Sequence, residues 1–301
     1  MSKTYKKMIA VLCSSFILAL LMSSFCYVDA SAAVKTKLKN GTYTVSAMKK
    51  SQIPTKSKKL KIKRIVIKEG VTSIPKRAFA ECEYLESVKI PTTMTKIPDY
   101  SFGWCPNLGD VNFHNKLTYI GTMAFYGSYF EDAEFTFPDS LVSIGDKAFA
   151  GSRAIGFKFG PNTKKIGLMA FDTNGSGSKN MITLPGDFKL TGNAEELDGT
   201  LSAHTIEFNT PVTDISVLNV IRAENIIMSA SDENYTSIDG VVYSKDKKTI
   251  VRVPSKRYIL SVAEGCETFP LSAVTYKDGN VDYEGISTYE KSPLVCKYLY
   301  K

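Results

Sequence analysis

Histidine and tryptophan are scarce in this sequence, with two histidines and one tryptophan among 301 residues. Neither His114 nor His204 has a cysteine or a second histidine at metal-ligand spacing, which argues against a zinc site and against histidine-based catalysis. The cysteines show no paired C-x-x-C spacing. The sequence also lacks a phosphate-binding glycine loop, a nucleophile elbow and a zinc-hydrolase motif. We therefore predict no catalytic residues, no metal and no cofactor.

Residues 1–33 have the pattern of a secretory signal peptide. Lys3, Lys6 and Lys7 form a basic start, Met8 to Val28 is apolar, and Ala30-Ser31-Ala32 supplies small residues for cleavage. An uncleaved membrane anchor is the alternative, because the apolar stretch is just long enough to span a bilayer. A mean hydropathy of -0.08 excludes a polytopic membrane protein. We predict a secreted chain, free or associated with the cell surface, with no transmembrane segment after cleavage.

The dominant feature of the remaining chain is an internal repeat of about 23 residues. A phenylalanine that follows a small residue recurs five times, and five residues before it stands an isoleucine followed by Pro or Gly. These ladder residues are Phe79, Phe102, Phe125, Phe149 and Phe171, with Ile74, Ile97, Ile120, Ile144 and Ile166. A pair of apolar residues precedes each isoleucine, and these pairs are Ile65/Ile67, Val88/Ile90, Val111/Phe113, Phe135/Phe137 and Phe157/Phe159.

The spacing within one unit predicts its local structure. Two β-favouring residues at i and i+2 predict a short strand with one buried face. The Pro or Gly after the isoleucine predicts a single helical or 3-10 turn that carries the small residue and the phenylalanine. One unit is too small to bury both Phe and Ile, but copies stacked at about 4.8 Å bury them in continuous ladders. The fold class is thus a repeat solenoid, mainly β with short helical or 3-10 turns.

The repeat resembles a known bacterial family. The segments Leu85 to Pro91 and Met94 to Pro98, followed by Ser101-Phe102 and Cys105, are similar to the BspA-like leucine-rich repeat of bacterial surface proteins. Residues 235–246 resemble the hairpin insert often found among such repeats, although Lys247 stands where the turn prefers glycine. The resemblance implies a leucine-rich-repeat architecture and a kinship with adhesins that bind host proteins, matrix proteins or other bacteria. Exposed residues change while a fold is retained, so the resemblance does not identify a ligand.

The resemblance and the composition together predict five regions. They are a signal peptide at 1–33, a basic N-terminal flank or cap at 34–64, regular leucine-rich repeats at 65–171, degenerate repeats at 172–230, and a hairpin insert, last repeat and C-terminal cap at 231–301. The last repeat is predicted because Leu260, Val262, Cys266, Phe269, Ala273 and Val274 have the mutual offsets of the regular units. Cys266 is accordingly expected in the core.

The residue between the two buried positions of each strand must point outward. The candidate binding row formed in this way is Val66, Lys89, Asn112, Thr136 and Lys158, continued by Thr183 and Glu207 and flanked by Ser87, Asp110 and Glu134. A long strand face of this kind is how solenoids present a surface to other macromolecules. The alternative interpretation is a merely soluble face of the sheet.

Three further residues have two interpretations each. Cys82 and Cys105 are one repeat apart, which permits a disulfide, but buried reduced thiols in the ladder are favoured. Trp104 lies two residues after Phe102 on the turn side. A lone aromatic there is favoured as a packing residue, and partial exposure would favour a platform for a sugar.

The net charge of +8 is unevenly distributed. The signal peptide contributes +2, residues 33–64 carry eleven Lys or Arg and no Asp or Glu, and the chain from Ile65 onward is therefore at -5. An acidic repeat region argues against nucleic-acid binding. The lysines of the basic flank, which include Lys49, Lys50, Lys56, Lys58 and Lys59, predict either attachment to anionic wall polymers or lipids, or protection of the first coil's edge from pairing. The leading functional hypothesis is a non-catalytic protein-binding or adhesion module, and the alternative is an envelope-associated structural protein.

Overall fold

The computed structural model describes residues 36–47, 53–131, 133–172, 180–191, 201–255 and 259–274, together with the backbone of 288–289. The predicted signal peptide, three lysines of the basic flank (Lys35, Lys49 and Lys50) and most of the predicted C-terminal cap lie outside these ranges. Within the described ranges, no helix combines the length and the apolar character that crossing a bilayer requires.

Parallel strands one repeat apart form the face of the solenoid on which the predicted binding row lies. The first face sheet is ordered Thr36–Lys39, Thr42–Val45, Arg64–Ile67, Ser87–Lys89 and Asp110–Val111. The second face sheet contains Glu134–Thr136, Gly156–Lys158, Met181–Leu184, Thr205–Phe208 and Asn225–Ile227. Ile65 pairs with Val88, and Phe157 pairs with both Phe135 and Ile182. The apolar residues of the repeat therefore stack in register, and the predicted mainly-β solenoid is confirmed.

The face is divided between Asp110–Val111 and Glu134–Thr136, so the residues of the predicted row are distributed over two sheets. An extra residue lies between Ser128 and Phe135, where Phe130 adopts a φ of +41° and turns inward to lie 4.9 Å, ring to ring, from Phe135. Before the gap, the Asn112 amide extends the pairing of Asp110–Val111 with the preceding coil. Its Oδ1 accepts from the Ile90 N–H at 2.7 Å and its Nδ2 donates to the Ile90 carbonyl at 3.1 Å.

A third parallel sheet, which the sequence did not predict, runs through the ladder isoleucines. Its strands are Lys96–Ile97, Tyr119–Ile120, Ser143–Ile144, Lys165–Gly167 and Lys189–Thr191. Ile97 pairs with Ile120, and Ile144 pairs with both Ile120 and Ile166. Strands of two or three residues are too short to show the alternation by which a strand is identified in sequence. We call this the side sheet.

The segment that carries each Ala-Phe or Ser-Phe pair is a turn and not the predicted helical or 3-10 element. The Ala78 N–H donates to the Pro75 carbonyl at 3.2 Å, and the φ of Arg77, between them, is +60°. Alternate amides of this segment pair with the next coil, since Phe79 donates to the Ser101 carbonyl and Glu81 to the Gly103 carbonyl. We call this third side of the coil the turn side. In the described chain, helical structure is limited to Lys56–Lys59 and the 3-10 helices Ile215–Val220 and Leu271–Ala273.

The phenylalanine ladder fills the interior. All five ladder phenylalanines have no solvent-exposed surface, and successive rings along the ladder are separated by 5.9, 5.5, 5.2 and 6.2 Å between centroids. The ladder isoleucines are 3% exposed or less. This continuous apolar core is what a single repeat could not form.

Hairpins lie near both ends of the described solenoid. The first strand pair of the first face sheet turns at Asn40-Gly41, and Tyr235–Ile238 turns at Asp239-Gly240 into Val241–Ser244. All four turn residues have positive φ, as the favoured two-residue hairpin turns require. At the next turn, toward Ile250–Arg252, Lys247 has a φ of +64°, which is the conformation for which glycine was expected.

Two short strand pairs and the predicted last repeat complete the described fold. Leu201–Ser202 pairs with Ile221–Arg222, and Ile259–Leu260 pairs with Thr288–Tyr289. Leu260, Phe269, Ala273 and Val274 are buried in a separate apolar cluster with the hairpin strands. Cys266 is only half-buried at the border of that cluster, so its expected core position is wrong; the segment Glu264–Gly265 before it is exposed at the surface.

Candidate functional site

The second face sheet presents the predicted binding row in register. Thr136 pairs with Lys158, Lys158 with Thr183, and Thr183 with Glu207. Thr136, Lys158 and Glu134 are exposed, whereas Thr183 is only 6% exposed because the neighbouring Glu207 carboxylate accepts from its hydroxyl at 3.0 Å. The row ends at Ile227, a large apolar side chain that is 39% exposed. The strands therefore hold acidic, basic, hydroxyl and apolar groups in one line.

The remaining predicted row residues lie on the first face sheet. Lys89 and Asp110 are exposed there, and Val66 and Ser87 are half-buried. Asn112 is exposed as well, but its amide is already bound to the Ile90 backbone, so it acts as a structural residue of the sheet edge. The structure thus brings together Thr136, Lys158 and Glu134 and separates them from Lys89, Asn112 and Asp110 by the break in the face.

The described part of the basic flank forms the end of the solenoid. Lys37 and Lys39 lie on the edge strand, and Lys56 and Lys58 lie on the short helix, all exposed. Lys59 is half-buried because its ammonium donates to the Ala80 carbonyl, and Lys63 forms an exposed ion pair with Glu86 at 3.3 Å. Leu60 exposes 42% of its surface beside these lysines.

The histidines and cysteines are arranged as structural residues. His114 lies between the Met94 carbonyl and the Lys116 N–H, each 3.2 Å from a ring nitrogen, and His204 Nδ1 is 3.0 Å from a Glu224 carboxylate oxygen. Across the residues that the structure describes, no group of three or more His, Cys, Asp or Glu is placed to hold a metal ion.

Cys82 and Cys105 are buried and free, which confirms the reduced-thiol interpretation. The Cys105 thiol lies against the Phe79 carbonyl at 3.3 Å, and burial raises the pKa of that thiol well above its ordinary value of 9.0. A thiol with a raised pKa is a poor nucleophile at neutral pH, so Cys105 is not an activated cysteine.

One exposed and two half-buried aromatic residues form a cluster on the turn side that the sequence did not predict as a set. Trp104 is 38% exposed; its ring centroid is 6.1 Å from that of Tyr100 in a stacked arrangement and 5.2 Å from that of Tyr126 in an edge contact. The Arg77 guanidinium lies 5.1 Å from the Tyr100 centroid and 6.0 Å from that of Trp104. Tyr100 and Tyr126 differ in their position within the repeat, so the spacing gave no signal of their contact. We call Arg77, Tyr100, Trp104 and Tyr126 the aromatic platform.

Comparison with solved structures finds leucine-rich repeat proteins at low identity. One from Eubacterium ventriosum is 20% identical, with a TM-score of 0.39, and the match covers 87% of this chain and 60% of that one. The pneumococcal vaccine antigen PcpA is 20% identical, with a TM-score of 0.45, and the match covers 77% of this chain and 57% of that one. A leucine-rich cell surface protein from Faecalibacterium prausnitzii is 18% identical, with a TM-score of 0.36, and the match covers 80% of this chain and 65% of that one. The chain thus corresponds to less than two thirds of the length of each of these proteins.

Comparison at the level of sequence families gives a broader match. No curated protein matches the chain. The model of the BspA-type leucine-rich repeat region matches in six copies, over residues 53–178 and 129–250. These ranges contain all five ladder phenylalanines, the first face sheet from Arg64–Ile67 onward, the second face sheet, and the hairpin strands Tyr235–Ile238 and Val241–Ser244. They exceed half of the sequence. The chain belongs to the BspA-type leucine-rich repeat family.

Proposed function

We propose that this protein is a secreted or cell-surface, non-catalytic module that binds a protein ligand on a host, on the extracellular matrix or on a neighbouring cell. The observation that carries the proposal is the second face sheet, whose five parallel strands hold Glu134, Thr136, Lys158, Glu207 and Ile227 on one outward face. Mixed charged, hydroxyl and apolar side chains on a rigid backbone are what a protein interface requires. Family membership supports binding, since repeat proteins use extended surfaces of this kind.

A pair of matched charge reversals in one coil tests this proposal. Lys158→Glu changes the second face sheet, and Lys165→Glu makes the same change at an exposed position of the side sheet. Binding to a panel of purified matrix proteins and to intact neighbouring cells is measured for both variants and for the unmodified protein. We expect Lys158→Glu to weaken capture about tenfold, because a ligand surface that is complementary to a lysine repels the glutamate that replaces it. We expect Lys165→Glu to leave capture unchanged. Equal behaviour of the two variants, or no capture by any member of the panel, would count against the proposal.

The basic flank favours a second candidate function, attachment to the producer's own anionic wall polymers or lipids. Lys37 and Lys39 are exposed on the edge strand, Lys56 and Lys58 are exposed on the short helix that Leu60 follows, and no acidic residue occurs in residues 33–64. Attraction of this kind is screened at moderate ionic strength. Release of the protein from producing cells by moderate salt supports the attachment, and retention at that salt, together with capture of a protein ligand, refutes it.

A further inference from the structure

We propose that the aromatic platform binds a neutral oligosaccharide, at a site separate from the strand face. The platform combines a partly exposed indole, two flanking phenol rings and a guanidinium from three successive coils. The faces of aromatic rings carry partial negative charge, and the C–H groups on one face of a sugar ring carry partial positive charge, so the two surfaces attract each other. A stacked ring with charged side chains at its border is thus suited to a ligand that has both an apolar face and hydroxyl groups.

Glycine keeps one side of the indole open. Along the turn side, the position of Trp104 is taken by Gly127 in the next coil and by Gly151 in the one after, because their amides donate successively to the Tyr126, Ala150 and Asp172 carbonyls. A Cβ atom at position 127 would lie 3.5 Å from Trp104 Cδ1. A side chain at position 127 would therefore begin in van der Waals contact with the edge of the indole. The two glycines continue the platform as a strip of bare backbone along the solenoid axis, which suits a narrow, extended chain.

The backbone at the platform adopts a conformation that bulky residues rarely take. Trp104 has a φ of +56° and Tyr100 a φ of +57°, whereas the equivalent of Trp104 in the next coil, Gly127, has its φ of +65° without steric conflict. The equivalent positions of the other coils share this conformation, with a φ of +60° at Arg77, +51° at Met123 and +63° at Glu81, so it is a property of the repeat turn that the platform residues adopt. The hydrogen bond from the Trp104 N–H to the Tyr126 carbonyl fixes the indole beside the second phenol.

The charges around the platform indicate a neutral ligand. Glu81 occupies the position of Trp104 in the preceding coil and balances Arg77, and Lys76 is paired with Asp99 at 2.6 Å. An anionic or cationic polymer gains nothing overall from this balanced set. Guanidinium donors and carboxylate acceptors are both useful for hydroxyl groups. Beside the platform, the turn side contains Gly127, Ala150 and Gly151, which have no large side chain that could serve as a hot spot for a protein partner. A stable protein interface needs about 800 Å² on each side.

Tryptophan fluorescence tests the proposal directly, because Trp104 is the only tryptophan. The full chain is titrated with cellohexaose, maltohexaose and chitohexaose at low and at moderate salt. We expect a saturable change in emission with at least one of them, with a Kd in about the millimolar range or below, unaltered by salt. No change with any of the three would overturn the proposal. A change that disappears at moderate salt would also overturn it, because it would indicate charge attraction.

Three variants separate the platform from other exposed aromatic residues. Gly127→Asn places a side chain against the indole while asparagine tolerates the left-handed conformation, and we expect at least a tenfold loss of affinity with the fold retained. Trp104→Ala, followed by calorimetry, should abolish binding. Tyr129→Ala removes a different exposed tyrosine that also stacks against an arginine, Arg153, and should leave the affinity unchanged. Unchanged affinity in Gly127→Asn, or an equal loss in Tyr129→Ala, would refute the assignment of the site. None of these outcomes depends on whether the strand face binds a protein.

Discussion

Phe125→Ala is the most direct test of the ladder as the source of stability. The Phe125 ring is fully buried and lies 5.5 Å from Phe102, 5.2 Å from Phe149, 5.8 Å from Phe113 and 5.7 Å from Phe130, all between centroids. Replacing a buried phenylalanine by alanine removes its transfer free energy and leaves a cavity, which destabilises a protein by about 3 to 5 kcal/mol. The four neighbouring rings cannot all move into the cavity. We therefore expect a loss of unfolding free energy in the upper part of that range.

The measurement is the free energy of unfolding in urea, followed by circular dichroism and by the fluorescence emission of Trp104. Phe79→Ala serves as a comparison within the ladder, because Phe79 has ring contacts only with Tyr43 and Phe102 in the described chain and should cost less. Tyr84→Ala, at a position that is 48% exposed, should change the free energy by less than about 0.5 kcal/mol. A loss below about 1 kcal/mol for Phe125→Ala would show that the ladder does not carry the core.

Three smaller predictions concern individual residues. The pKa of Glu69 lies below its ordinary value of 4.5 because the Thr92 N–H and hydroxyl donate to its carboxylate, so Glu69→Gln should lower stability at neutral pH and have no effect in acid below the native pKa. Lys247→Gly should raise the free energy of unfolding by roughly 0.5 to 1 kcal/mol, because the φ of +64° suits glycine. Buried Cys105, with its raised pKa, should resist alkylation until the protein unfolds, as mass spectrometry would show.

Each of these has a contrary outcome. If the loss of stability in Glu69→Gln persisted unchanged in strong acid, it would not come from the charge of the carboxylate. A lowered pKa confers stability that is lost as the pH falls through that pKa. Destabilisation by Lys247→Gly would mean that the lysine side chain contributes more than the turn strain. Alkylation of Cys105 in the folded protein at the rate of an unfolded control would show that the thiol is accessible.

Much of the fold could be predicted because the repeat supplies its own evidence. Phe79 and its four equivalents recur at nearly constant spacing, and an apolar residue that recurs in this way in a solenoid must face its own copies. The strand pairs from Ile65/Ile67 onward were predictable for the same reason, including Ile182, Ile206 and Ile226 in coils that lack the Ala-Phe signature. The side sheet was not predictable, since its strands are too short to show alternation.

The candidate binding surfaces were less predictable. Lys158 and Thr136 lie on the outward face as the alternation requires, but the alternation does not predict the break between Asp110–Val111 and Glu134–Thr136. The one-residue insertion between Ser128 and Phe135 is visible in the sequence spacing, yet the spacing does not reveal how the chain packs around it.

The sequence by itself determined the repeating core, the short strands and the separation of a basic flank from an acidic repeat region, because each depends on local residue types and their period. Only the tertiary structure decided that Trp104 is exposed between Tyr100 and Tyr126 and that Arg77 from the preceding coil borders it. It also decided that Gly127, which has no side chain, lies beside the indole in the next coil. These residues come from three successive coils at unequal repeat positions. Their contacts arise from the register in which the coils stack, and that register is set by backbone pairing along the whole ladder.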